Sequence, residues 1–257
     1  MGEQSSIIVA AMRVAWVLTV VFLTSAVQAA QCVVESGAGT AALVELYTSE
    51  GCSSCPPAER WLAGLAKRFA PTSVVPLALH VDYWDYIGWK DPYGKREFAL
   101  RQRKLSQLQR MALVYTPQVL LQGRDFRAWH GKGFDEAVAK VNAEPAKARM
   151  KLEVLRADET GLEVEATADA PEGDLYVAAY RSGLQSHVNA GENRGRILSH
   201  DYVVLEWQGP FAVAGRVVER RTLPLLPGAN PGNSGVAAFV QNRRTGEVLQ
   251  ALLRPAC

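Results

Sequence analysis

The sequence predicts an α/β domain followed by an all-β, sandwich-like domain, and three observations predict it. From Thr40 to about Val141, apolar runs of strand type alternate with amphipathic helical stretches. After Pro145 the pattern turns to short period-two runs separated by turn residues. A Cys-x-x-Cys pair, Cys52 and Cys55, falls where the first strand meets the first helix. Composition permits such a fold, because 48% hydrophobic and 21% charged residues over 257 positions suffice to bury a core. The 28 basic and 26 acidic residues leave a net charge of +2, too little to mark a nucleic-acid binder.

Each element has its own signal. Ala41 to Tyr47 (AALVELY) reads as a buried strand, and Ala58 to Phe69 places Trp61, Leu62, Leu65 and Phe69 on one helical face. Val74 to Val81 reads as a second strand despite Pro76. Tyr93 to Met111 is a charged helix with Phe98, Leu105 and Leu108 as its apolar side, and it forms the core of an insertion over about 84–112. Gln118 to Gln122 is a strand that turns through Gly123-Arg124-Asp125, and Phe134 to Asn142 is the last helix. Seven strand runs follow: Lys151 to Arg156, Leu162 to Ala168, Leu175 to Tyr180, Tyr202 to Trp207, Arg216 to Leu223, Val236 to Gln241 and Val248 to Leu253. The expected domains are therefore 31–148 and 149–257.

Residues 1–30 read as an export signal. Val14 to Val27 is almost wholly apolar, Gln28 and Gln31 stop it short of a spanning helix, and Val27-Gln28-Ala29 has the small-residue form of a cleavage site. Met12-Arg13 makes a better start than Met1. Removing the signal takes away Glu3 and Arg13, one charge of each sign, and leaves a protein expected in the periplasm or outside the cell with no membrane attachment. An uncleaved anchor is the alternative.

The dithiol carries the chemistry. A thiolate at a helix N-terminus faces the positive end of the helix dipole and free N–H groups, which lower its pKa from about 8.5 into roughly the 3.5–7.5 range. Cys52 is thus the expected nucleophile, and Cys55, one turn later, the resolving thiol. Pro56 and Pro57 suit the first helical turn. A closed zinc site would need a second Cys pair, which the chain lacks, so no metal and no organic cofactor are expected. A permanently oxidised, structural disulfide stays open as the alternative, in keeping with an oxidising compartment. Thr116-Pro117 precedes the strand at Gln118, and a cis proline there would turn the preceding backbone outward to pair with a substrate peptide.

The order strand, Cys-x-x-Cys, helix, strand, helix, Thr-Pro, strand, strand, helix resembles the thioredoxin fold over residues 40–143. The strings VELYTSEGCSSCPPAERWL, HVDYWDYIGWKDPYG and VYTPQVLLQG, and GENRGRILSHDYVV in the β-rich half, are similar to a family of secreted thioredoxin-like bacterial proteins, domain of unknown function 1223. The resemblance implies Cys52 as attacking thiol, Cys55 as resolving thiol, Pro117 as the cis proline and Thr116 as the residue that offers backbone to a substrate. It implies thiol–disulfide exchange with other exported proteins that carry thiols or disulfides. A non-catalytic binding or assembly module with a locked disulfide is the alternative function. Ser53-Ser54 between the thiols and the insertion after Tyr83 depart from the common thioredoxin pattern.

Several further residues carry expectations. Glu45, a charge in an apolar strand, resembles the buried acid that moves protons in thioredoxins, or else sits at an open strand end or pairs with a Lys or Arg. Trp84, in the aromatic run His80 to Trp89, is expected at a wall of the substrate groove, or as a seal between helix and sheet. His80 is a weaker candidate, as a metal ligand beside the thiols. His187 to Arg196 reads as a solvated connector or a binding loop. Cys32 and Cys257 remain, and pair by elimination if Cys52 pairs with Cys55.

Overall fold

Strand β1 (Val33–Glu35) is followed by β2 (Ala42–Thr48), α1 (Pro56–Ala63), β3 (Val74–His80), α2 (Arg96–Leu108), β4 (Gln118–Leu121), β5 (Arg124–Asp125) and α3 (Lys132–Ala143). Then come β6 (Arg149–Asp158), β7 (Gly161–Arg181), β8 (Leu184–His187), β9 (Ile197–His200), β10 (Val203–Pro224), β11 (Ser234–Gln241) and β12 (Val248–Pro255). This computed structural model describes Gly2, residues 32–225 and residues 231–257. The expected export signal, cleavage site and Met12 start lie outside the described residues.

The expected α/β thioredoxin-like class is corrected by the sheet. Among the described residues the chain is mostly β, with three α-helices, and one ten-stranded mixed sheet runs in the order β1-β6-β7-β10-β3-β2-β4-β5, with β11 joined to β7 and β12 to β11. The edge of β3 does not end a separate α/β sheet. It takes β10 as a parallel neighbour at Ala78↔Val203, and the Ala78 amide donates to the Tyr202 carbonyl at 2.8 Å. An open strand edge presents unpaired N–H and C=O groups, and the second half of the chain supplies their partner. Residues 32–257 form one compact unit.

The seven short strands are also corrected, because two pairs of them are single long strands. Leu162–Ala168 and Leu175–Tyr180 both belong to β7, and Tyr202–Trp207 and Arg216–Leu223 fall in or against β10. The residues between them, Pro171-Glu172-Gly173 and Gly209-Pro210, sit on facing strands, where register shifts at Gln208/Phe211 and Val213/Gly215 absorb the extra residues. The β-rich half keeps a sandwich-like core of Leu152, Val164, Ala166, Val213, Val236 and Leu252.

Helices cover both faces of β2, so all seven of its residues are buried. Leu43 and Tyr47 point to the side of Phe98 and Leu105 on α2; Ala42, Val44 and Leu46 point to the side of Leu62 on α1 and Phe134 on α3. This alternation decides which side chains reach the dithiol.

Candidate functional site

The dithiol sits where β2 ends. Thr48 leads through Ser49-Glu50-Gly51 into a tight turn in which the Cys52 amide donates to the Ser49 carbonyl at 3.1 Å and the Cys55 amide to the Cys52 carbonyl at 3.2 Å. Cys55 is the N-cap of α1, with Pro56 and Pro57 in its first turn. Cys52 and Cys55 are joined by a disulfide, with Cα atoms 5.4 Å apart. Both are buried, at 1% and 0% exposure, whereas Ser53 and Ser54 are exposed, and the Ser54 hydroxyl lies 3.3 Å from Cys52 Sγ.

The loop between β8 and β9 clamps this turn. Asn193, fully buried, donates through Nδ2 to the carbonyls of Glu50 at 2.8 Å and Cys52 at 2.9 Å, and its Oδ1 accepts from Arg196 at 2.7 Å. Glu192 Oε2 accepts the Ser53 amide at 2.9 Å, a bond that holds its carboxyl below the ordinary glutamate range. Gly191 adopts φ +73°, and a Cβ there would come within 2.9 Å of Ile87 Cδ1. The stretch read as a connector or binding loop thus grips the cysteine turn.

A cluster of ionisable side chains lies buried beside the dithiol turn. In the register of parallel β2 and β3, Thr48 faces His80, on the side of the sheet that α1 covers. Glu59, on α1 one turn after Cys55, accepts the Thr48 hydroxyl at 2.5 Å through Oε1 and meets His200 Nδ1 at 2.7 Å through Oε2. His200 Nε2 meets Glu50 Oε1 at 3.0 Å, and Glu50 Oε2 accepts the Trp89 indole N–H at 2.7 Å. His80 Nδ1 lies 2.8 Å from Asp91 Oδ2, which also accepts the Glu50 amide at 2.8 Å. Burial alone would lower the His200 pKa, but hydrogen bonds and charge from Glu50 and Glu59 lift it to about 10. Burial would raise Glu59 and Asp91, yet His200 and His80 respectively, with further hydrogen bonds, hold both below their ordinary range.

Sequence reasoning missed Glu50, Glu59 and Asp91, and reached Asn193 only as one residue of the loop His187 to Arg196. One signal was present for Glu59: it stands three residues before Leu62 and four after Cys55, inside the buried stripe of α1.

Glu45 stands apart from this cluster. Its side chain points to the α2 face, where Oε1 accepts Arg101 Nε at 2.6 Å, and the guanidinium lies within 5.1 Å of the Tyr176, Trp207 and Phe239 ring centres. The arginine pairing, one of the expectations for this residue, is what the side chain makes. The Thr116–Pro117 peptide bond is cis. Gln118 pairs with Tyr47 across antiparallel β2 and β4, which brings Pro117 and Thr116 to the end of the sheet where the cysteine turn begins. The Trp84 indole donates to the Thr116 hydroxyl at 2.7 Å, and Trp84 Cβ lies 3.0 Å from the position of a Cβ on Gly51. Trp84, Thr116 and Pro117 are thus brought to the dithiol end, and Glu45 is not. Cys32 and Cys257 are joined by a second disulfide, with Cα atoms 6.0 Å apart.

The fold has solved relatives. A crystal structure of a protein from Agrobacterium tumefaciens is similar with a TM-score of 0.64 and 24% identity, covering 86% of this chain and 97% of that one. HBP35 of Porphyromonas gingivalis is similar with the same TM-score at 15% identity, covering 86% of this chain and 76% of that one. No curated protein matches the chain. The model of the family described as "Protein of unknown function (DUF1223)" matches residues 43–241, and the chain belongs to that family.

Proposed function

We propose that this protein performs thiol–disulfide exchange on other exported proteins through Cys52 and Cys55. The observation that carries the reading is a disulfide at a helix N-terminus, with its turn gripped by Asn193 and Glu192 and bordered by the exposed Ser53-Ser54. In the reduced form the Cys52 thiolate attacks a sulfur of the partner's disulfide, and one partner sulfur leaves as a thiolate that takes up a proton. The Cys55 thiolate then attacks Cys52 Sγ and releases the second partner sulfur, also to be protonated. Two electrons and two protons pass to the partner, and the Cys52–Cys55 bond is restored; the reverse sequence oxidises a partner dithiol. The α1 N-terminus stabilises the thiolate in either direction. The apolar run Val14 to Val27, followed by the small-residue form of a cleavage site, supports a setting for this exchange outside the cytoplasm, in the periplasm or beyond the cell.

A binding module with a locked disulfide is the second reading, favoured by the burial of both cysteines. Equilibration of the purified protein with glutathione buffers, followed by thiol trapping, separates the two. A potential between roughly −120 and −270 mV supports exchange, and one below about −300 mV marks a structural bond and overturns it.

A further inference from the structure

Two buried histidines meet beside the dithiol turn, and each is oriented by a carboxylate. Their rings lie 5.1 Å apart at 79°. The 2.8 Å contact with Asp91 Oδ2 engages His80 Nδ1 and leaves Nε2 as the second ring nitrogen. That Nε2 is fully buried and has no hydrogen-bond partner. Left unsatisfied, such a buried group is destabilising. On His200, Glu50 takes Nε2, and Nδ1 is turned to Glu59. One donor atom from each of Glu59, His80 and His200 falls within 4.8 Å of the others.

We propose that Glu59, His80 and His200 bind a divalent transition-metal cation of the zinc type. The ligands are His80 Nε2, His200 Nδ1 and the Glu59 carboxylate, with Asp91 and Glu50 as the hydrogen-bond partners that orient the two imidazoles. A ligating histidine normally donates its second N–H to a carboxylate, and both histidines have that partner in place. Thr48 holds the other oxygen of Glu59. Two imidazoles and one carboxylate select zinc or its neighbours over calcium and magnesium, which take oxygen donors, and three protein ligands leave the fourth tetrahedral position open. Loading exchanges the proton between His200 Nδ1 and Glu59 for the cation, with no electron transfer. This departs from the sequence-based expectation of no metal, because residues 59, 80 and 200 form no spacing motif and meet only in the fold.

Equilibrium dialysis of the purified protein against zinc chloride at pH 7, with retained metal measured by atomic absorption, tests the site. One zinc per chain is expected, abolished in His80→Ala and His200→Ala and weakened about 10–100-fold in Asp91→Asn. The Cys52→Ser/Cys55→Ser variant is expected to keep its zinc, so failure of the exchange reading leaves this proposal standing, and the converse. X-ray absorption of the loaded wild type should show nitrogen and oxygen neighbours at about 2.0–2.1 Å and no sulfur at about 2.3 Å. If the histidine variants do not fold, that spectrum decides alone. No zinc retained by the wild type, undiminished binding by a folded His80→Ala, or a sulfur neighbour overturns the site.

Discussion

Asn193 carries no charge, yet it supplies the donors for two carbonyls that flank the entry to the dithiol turn. Asn193→Ala leaves both buried acceptors without that donor and should cost about 1–3 kcal/mol, read as a lowered urea midpoint. The same variant is expected to move the Cys52–Cys55 potential, because the turn it holds contains Cys52. Glu45→Gln is expected to lose stability without moving that potential. It strips the buried Arg101 of its counter-charge and should destabilise by about 3–5 kcal/mol, while the potential of the dithiol on the other side of the sheet stays put. A potential shift in Glu45→Gln without loss of stability would return Glu45 to the chemistry. His200 gives a pH signature. Its pKa is raised from 6.5 to about 10 in the fold, so its contribution to stability is complete below about pH 6.5 and is lost as pH rises toward 10. Glu59, lowered from 4.5, contributes above that value and loses its share as pH falls through its folded value. With metal chelated, the urea midpoint should fall on both sides of neutrality, and His200→Gln should flatten the alkaline side. The dithiol and Pro117 were legible because their chemistry is local in sequence. The cluster around His200 was not, because its members come from a helix, two strands and two loops that only the folded chain brings together.

At the level of elements, the helices and the first strands were legible because their burial patterns are complete within each segment. The all-buried β2 is flanked on both faces, so an unbroken apolar run announces it, and the single charge in that run marks the pairing with α2. Long β7 and β10 were not legible, because Pro171-Glu172-Gly173 and Gly209-Pro210 read locally as turns. Only the β7–β10 ladder turns them into bulges, with Gly209-Pro210 set against Tyr176 and Pro171-Glu172 against Ala214. The loop between β8 and β9 shows the same limit in reverse, since its glycines suggest freedom while its packing denies it. Gly191→Ala forces a Cβ against Ile87 at a positive φ and should destabilise by about 1–3 kcal/mol. Ile87→Ala in the same chain should recover part of that loss, and a double-mutant cycle by urea unfolding measures the coupling. Purely additive losses would place the strain in the Gly191 backbone alone.

The whole molecule is closed by strand pairing and by a covalent link between its ends. β1 pairs with β6 and β12 with β11, so the described N-terminal and C-terminal strands are both held by the β-rich half. Parallel pairing of β10 with β3 then ties that half to the strands that carry the dithiol. The Cys32–Cys257 disulfide spans 225 positions. The Cys32 carbonyl accepts the Val154 amide and the Ala256 amide donates to Ser234, so both ends keep backbone partners without the sulfur bond. Its effect therefore falls mainly on the unfolded chain. On the loop-entropy model, closing a loop of this size stabilises by about 5 kcal/mol, reduced by any structure the unfolded chain retains. Cys32→Ser/Cys257→Ser should accordingly lower the urea midpoint by a margin approaching that figure, with native near-ultraviolet circular dichroism and an unchanged Cys52–Cys55 potential. The expected division of labour is one disulfide that sets stability and another that exchanges. A Cys52–Cys55 potential that moves with the loss of the distant link would instead mean that the two act as one strained unit.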